Sequence, residues 1–91
     1  MGDIRLVTLF ADAMAERLEA NAHKHGWEDM SPKQLLRRLE QEVGELRRAI
    51  ENGESPSRVT HEAADAGNFA AMLSVAYEEQ GYGRDQARGI E

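Results

Sequence analysis

The sequence predicts a small all-α fold, and three features carry this prediction. Ala, Leu, Glu and Arg dominate the 91 residues while aromatic residues make up only 5%, which favours helices packed through small side chains over a sheet of bulky β-branched residues. Apolar residues recur at spacings of three and four along most of the chain, as they do in amphipathic helices. Two Ser-Pro pairs introduce such stretches and are typical of helix N-termini.

The first helix is predicted to begin at Asp3, a good N-cap residue, and to end by Gly26. Apolar residues at spacings of three and four give this helix one apolar face. That face consists of Val7, Phe10, Met14 and Leu18. We expect the helix to pack against the rest of the protein through it.

The second helix has a stronger start signal. Ser31 is the expected N-cap, Pro32 the first helical residue, and Gln34 completes a capping box. An apolar seam suited to packing against other helices then runs along the helix until Asn52 and Gly53 end it. The seam consists of Leu36, Leu39, Val43, Leu46 and Ile50.

The third helix is predicted to start with Ser55 as N-cap and Pro56 behind it, and to run to about Gln80, with Gly81 as C-cap. Its small apolar residues favour close helix contacts. They are Val59, Ala63, Ala66 and Ala70, followed by Leu73. Residues 81–91 are mostly polar and contain three glycines, so we expect a short or frayed tail there.

Residues 1–91 are expected to form a single helical domain with a thin core. A chain of this size buries only about 60–65% of the surface that its unfolded form exposes. Three helices with so little core do not close a bundle easily. We therefore expect a homo-oligomer in which two chains pair their second and third helices in a shared four-helix bundle.

Composition excludes several classes of site and partner. The chain has no cysteine, so a metal would have to be held by carboxylates or histidines. The formal charge of −6 argues against binding a nucleic acid polymer, whose affinity comes mainly from Lys and Arg. No apolar run approaches the roughly 20 residues that span a bilayer, and no signal peptide is evident. A cytoplasmic protein without membrane contact is expected.

Two pairs of acidic residues are the strongest candidates for chemistry. Glu42 and Glu45 lie three residues apart in the second helix, and Glu62 and Asp65 do so in the third. This spacing places each pair on one helix face. All four border the predicted core, where carboxylates repel one another unless they are protonated or neutralised by cations. Mg²⁺ prefers oxygen ligands, so the acids predict a magnesium site in which Mn²⁺ should substitute.

The alternative is that these pairs are ordinary surface charges, since 31% of the residues are charged and short motifs often arise by chance. The combination of two pairs on consecutive helices near the seam favours the metal site. Arg38 lies four residues before Glu42, and Arg48 lies three residues after Glu45, which predicts two intrahelical ion pairs. A solvated helix face is the default interpretation of these charges.

The acidic motifs resemble those of a known family. Segments 39–46 (LEQEVGEL) and 62–69 (EAADAGNF) are similar to the signature of the MazG-like all-α nucleoside triphosphate pyrophosphohydrolases. The resemblance spans residues 24–73, about half of the chain, and includes the run KHGW at 24–27. This run is similar to the loop before the first acidic helix in short members of the family.

The resemblance implies helical protomers that form a dimer, sometimes a dimer of dimers, around Mg²⁺ sites. It also implies release of pyrophosphate and a nucleoside monophosphate. The implied metal-binding acids are Glu42, Glu45, Glu62 and Asp65. Many members carry a further glutamate directly before the first of these acids. In this sequence that position is Gln41, and the additional acid is one residue earlier, at Glu40.

The mechanism that follows is metal-assisted attack of water at the α phosphorus, with Glu42 or Glu45 orienting the water. Trp27 is expected to stack on the base, although it could equally cap the core. Lys24 is a candidate for the β or γ phosphate, and Asn68 for the sugar or a metal-bound water.

The leading functional hypothesis is an enzyme that removes non-standard or excess (deoxy)nucleoside triphosphates from the nucleotide pool. A rival hypothesis from another class is a non-catalytic helical dimer that serves as a nucleotide sensor or protein-interaction module. A third, within the same superfamily, is hydrolysis of phosphoribosyl-ATP. Pyrophosphate release with and without Mg²⁺ discriminates the first two.

Overall fold

The structure is a computed structural model that describes residues 3–21 and 26–80. These residues form three α-helices, α1 (Asp3–Ala20), α2 (Pro32–Glu51) and α3 (Pro56–Glu79), with a short 3-10 helix at Trp27–Asp29 before α2. No strand occurs among them, which confirms the predicted all-α class for this part of the chain. None of these helices combines the length and apolar character needed to cross a bilayer. Lys24, Gly81 and the predicted tail at 81–91 lie outside the described residues.

The capping residues of α2 and α3 act as predicted. The Gln34 N–H donates to Ser31 Oγ at 3.1 Å while the Ser31 N–H donates to Gln34 Oε1 at 2.8 Å, so the capping box is complete. The Arg58 N–H donates to Ser55 Oγ at 3.2 Å in the same way. After α2, Gly53 takes a φ of +64°, a left-handed conformation that glycine adopts without steric cost. These local bonds fix where the two acidic helices begin and end.

The central element is α3, which contacts both α1 and α2. Its small residues permit this, because Ala64 is fully buried and Gly67 leaves room for α1. A Cβ at position 67 would lie 3.0 Å from the Phe10 ring and 3.3 Å from the Met14 sulfur. The predicted apolar face of α1 therefore contacts α3 through its middle, whereas Val7 is 64% exposed.

The face of α2 that is buried differs from the predicted seam by one residue. Leu35, Glu42 and Ala49, seven residues apart, are buried, and residues seven apart lie close to one line along a helix. Their immediate neighbours, three of the five seam residues, stay largely exposed. These are Leu36, Val43 and Ile50, at 44%, 48% and 60% exposure. The contact of the seam with a second chain stays a prediction, and the small intrachain core agrees with the expected thin core.

Candidate metal centre

A cavity of about 650 Å³ opens between the three helices and the 3-10 helix. Its walls include Arg17 of α1, Trp27 of the 3-10 helix, Glu42 of α2 and Asp65 of α3. Both α1 and α2 pack on α3 through small residues. The longer side chains beside these helix contacts enclose the cavity. All four acids singled out by the sequence line this one cavity.

Three of these acids, Glu42, Glu62 and Asp65, come together and are called the acid cluster below. One carboxylate oxygen from each lies within 4.8 Å of the others. Glu42 reaches the cluster from the buried face of α2, whereas Glu62 and Asp65 lie three residues apart on α3. Glu42 and Glu62 are only 7% and 5% exposed. Such a group suits a divalent cation, because hard cations prefer carboxylate oxygens.

Burial and mutual repulsion both act on the buried acids. Burial raises the pKa of Glu42 above its ordinary value, and the charges of Glu45, Asp65 and Glu62 raise it further, while Arg38 lowers it. Burial likewise raises the pKa of Glu62; Arg58 opposes this effect, and the nearby Glu45 carboxyl adds to it. Ionised carboxylates are thus disfavoured here unless positive charge is supplied.

Three buried side-chain oxygens at the cavity have no hydrogen-bond partner among the described residues. Glu42 Oε1, Glu62 Oε1 and Asn68 Oδ1 are buried and have no donor among residues 3–21 and 26–80. Buried polar atoms without partners are rare and costly in proteins. All three atoms are oxygens and all three residues line the cavity. The residues therefore fit a hard divalent cation, which accepts oxygen ligands.

Three arginines, called the arginine set below, accompany the acid cluster. Arg17 makes a two-bond pair with Asp65, with Nε–Oδ1 at 3.0 Å and Nη2–Oδ2 at 3.2 Å. The set also contains Arg38, whose Nη2 is 3.8 Å from Glu42 Oε2, and Arg58, whose Nη2 is 2.9 Å from Glu62 Oε2. The predicted Arg38–Glu42 pair is confirmed, whereas Glu45 and Arg48 form no ion pair within the described residues.

Sequence reasoning missed Arg17 and Arg58. Arg58 carries a local signal, since it lies four residues before Glu62 on one helix. Arg17 has no such signal, because its partner is 48 positions away and the two meet only when α1 packs on α3. The carboxylate of Asp65 hydrogen-bonds the guanidinium and holds the pKa of Arg17 above its usual value.

Three of the other four predicted site residues line the cavity, and the fourth lies outside the described residues. Glu45 is exposed and lines the cavity, but it lies outside the three-residue acid cluster. Trp27 lines the same cavity and is half-buried. Asn68 is 5% exposed, and its Nδ2 donates to the Met14 carbonyl at 3.0 Å, so it helps to hold α1 on α3 as well as lining the cavity. Lys24 lies outside the described residues.

Comparison with known proteins gives no independent identification. No family model matches the chain, and no curated protein or solved structure matches it either. The resemblance to the MazG-like family therefore rests on the motifs at 39–46 and 62–69 and the run at 24–27, and what it implies about activity is a proposal.

Proposed function

We propose that this protein is a Mg²⁺-dependent hydrolase that converts a nucleoside triphosphate, ribose or deoxyribose, into the monophosphate and pyrophosphate. The observation that carries the proposal is the acid cluster, in which two buried carboxylates each keep one oxygen without a hydrogen-bond donor among the described residues. A purely structural cluster would gain stability by losing these charges. Their presence in a cavity wall is expected where a cation and a phosphate substrate meet.

The cavity has the size and composition for a nucleotide. Its volume of about 650 Å³ lies within the roughly 300–1,000 Å³ that is usual for small-molecule sites. Besides the acids, its walls contain Trp27, Phe69 and Met72. Aromatic side chains can stack on a base, while the charged side chains serve the phosphates.

Glu42, Glu62 and Asp65 would hold the magnesium ion, which supplies charge neutralisation of the phosphates and polarisation of the α phosphorus when bound. Glu45 is assigned to the attacking water, because it lines the cavity without belonging to the acid cluster. It accepts a proton as the water oxygen bonds to the α phosphorus. The bond from that phosphorus to the bridging oxygen breaks, and its electron pair leaves with pyrophosphate.

We also propose that two chains pair α2 and α3 in a four-helix bundle, as a dimer or a dimer of dimers in the cytoplasm. The exposure of Leu36, Val43 and Ile50 supports this arrangement, since a stripe of large apolar side chains on one helix face is typical of helix–helix interfaces.

The decisive experiment measures pyrophosphate release from the standard ribo- and deoxyribonucleoside triphosphates and phosphoribosyl-ATP, with Mg²⁺, with Mn²⁺ and with chelator. We expect metal-dependent release that Glu62→Gln or Asp65→Asn abolishes and that Glu45→Gln lowers by about a hundredfold or more. Glu40→Gln, an exposed acid on α2, is the matched control and should keep full activity. Metal-independent release, or full activity in Glu62→Gln, would contradict the proposal.

One observation favours the non-catalytic alternative. Arg17 engages both oxygens of Asp65, which leaves that acid less available to a metal. A nucleotide sensor would bind triphosphate and release no pyrophosphate. Calorimetric binding measured beside the activity assay separates the two functions.

A further inference from the structure

The arginine set and the acid cluster are matched one to one. Each of the three carboxylates has one guanidinium partner, and the partners come from three different helices. All three arginines line the same cavity as the acids. Such a match goes beyond a single surface ion pair, which contributes little to stability. It places positive charge where a metal ion would otherwise balance the carboxylates.

The two oxygens of each buried glutamate have different surroundings. Arg38 and Arg58 approach Oε2 of Glu42 and of Glu62 respectively. Oε1 of each glutamate is buried and has no donor within the described part of the chain. The arginines themselves remain partly exposed. The guanidinium groups thus occupy the outer side of the cluster, while the unsatisfied oxygens lie on its inner side.

The balance of charge in the cavity decides what can bind there. Its walls hold five carboxylates and three guanidinium groups, so a free polyphosphate meets a net negative lining. A divalent cation on the inner oxygens offsets that excess. Carboxylates that bind a cation interact less strongly with their arginines, and guanidinium groups form strong forked pairs with phosphate.

We propose that Arg17, Arg38 and Arg58 stand in for the metal in the metal-free protein and bind the phosphate oxygens of the substrate once a divalent cation takes the acid cluster. This inference rests on the proposed function and names the phosphate-binding residues of the same site. Phe69 helps to position Arg38 beside the cavity. The guanidinium carbon of Arg38 lies 4.7 Å from the centroid of the Phe69 ring, a cation–π distance. Arg58 also contacts Glu54 at 3.5 Å, which keeps it beside the cavity.

The proposal predicts that the arginine variants keep or gain affinity for Mg²⁺ and lose affinity for a polyphosphate. Isothermal titration calorimetry would measure Mg²⁺ alone, and then inorganic tripolyphosphate at saturating Mg²⁺, with wild type and with Arg17→Gln, Arg38→Gln and Arg58→Gln. Each variant should bind Mg²⁺ as tightly as wild type or more tightly, because a competitor for a carboxylate is gone. Each should bind tripolyphosphate about tenfold or more weakly, because a charge-assisted pair is lost.

Arg37→Gln is the matched control, because Arg37 is an exposed arginine next to Arg38 that does not line the cavity. It should leave both affinities within about twofold of wild type. If Arg17→Gln unfolds, Arg17→Lys keeps the charge without the fork and should still weaken tripolyphosphate binding. Unchanged tripolyphosphate affinity in the arginine variants, or an equal loss in Arg37→Gln, would overturn the proposal.

The binding assay also separates this proposal from the proposed function. Wild type that binds tripolyphosphate through the arginine set but releases no pyrophosphate from any nucleotide would refute the enzyme and support the arginine set. Wild type that hydrolyses nucleotides with the same KM as all three variants would support the enzyme and refute the arginine set.

Discussion

At the scale of single residues, Glu42 is a buried acid whose ionisation opposes the metal-free fold. Its carboxyl is 7% exposed and faces other carboxyls. Its pKa in the folded protein lies above the ordinary value of 4.5, first because of burial and then because of neighbouring negative charge. Protonated Glu42 therefore stabilises the fold relative to ionised Glu42. This stabilisation is complete below about pH 4.5 and is lost as the pH rises through the folded pKa.

Replacing Glu42 with glutamine should remove that loss. We expect Glu42→Gln in the presence of chelator to unfold about 4–8 °C higher than wild type at pH 7.5, which corresponds to roughly 1 kcal/mol in a domain of this size. At pH 4 the difference should shrink towards zero. Thermal unfolding followed by circular dichroism measures both. Glu40→Gln should change neither value, and a gain that is equal at both pH values would contradict the assignment.

Trp27 gives a second prediction at this scale. It lines the cavity and is only half-buried, which favours base stacking over a role as core cap. Trp27→Ala should weaken nucleotide binding with Mg²⁺ by about 1–3 kcal/mol and cost less stability than the roughly 3–5 kcal/mol of a fully buried tryptophan. Nucleotide should also quench or shift the fluorescence of this single tryptophan. A large fall in Tm with unchanged affinity would assign Trp27 to the core.

At the scale of helices, the sequence predicted boundaries better than it predicted faces. Ser31 and Ser55 mark the starts of α2 and α3, because each hydroxyl accepts a hydrogen bond from the backbone N–H three residues later. Such short-range hydrogen bonds can be predicted from a few neighbouring residues of the sequence. Which side of α2 turns towards α3 depends on tertiary packing, and there the buried stripe contains Glu42 rather than the more apolar Val43. The sequence placed four acids at one site; the structure brings three into a cluster and leaves Glu45 beside it.

The contact between α1 and α3 supplies a prediction at this scale. Because a Cβ at position 67 would already lie 3.0 Å from Phe10, Gly67→Leu should force α1 away and destabilise the protein by about 1–3 kcal/mol. It should also weaken the Arg17–Asp65 pair. Gly44→Ala is the control, since among the described residues the only side-chain atom within 4 Å of its Cβ would be an Arg48 nitrogen at 3.7 Å. That control should gain about 0.5–1 kcal/mol from helix propensity. Denaturant unfolding measures both, and an unaffected Gly67→Leu would show that α1 contributes little.

At the scale of the whole molecule, the intrachain core is too small to account for the apolar residues that the chain carries. The buried apolar residues in the described part are four alanines, Pro32 and Leu35, and several large apolar residues lie exposed on α1 and α2. This imbalance is what a protomer presents when part of its core is completed by a partner.

We therefore expect a dimer or larger assembly by sedimentation at micromolar concentration. Val43→Arg should shift it towards monomer and lower its Tm, because a charge would be buried in the proposed interface. Gln41→Arg is the control, since position 41 lies on the opposite side of α2 from Val43 and is exposed. A well-folded wild-type monomer, or equal effects of the two substitutions, would contradict the four-helix bundle.

The two neighbouring stripes on α2 have a consequence for insertions and deletions. Leu35, Glu42 and Ala49 are each followed directly by a large aliphatic residue, Leu36, Val43 and Ile50. Deleting one residue from the first turn of α2, such as Lys33, would rotate the rest of the helix by about 100° and move the aliphatic stripe onto α3. The protomer would gain a conventional apolar core and lose Glu42 from the cavity. A single-codon deletion there would thus convert a cavity-lining surface into a packing surface without changing the composition of either stripe.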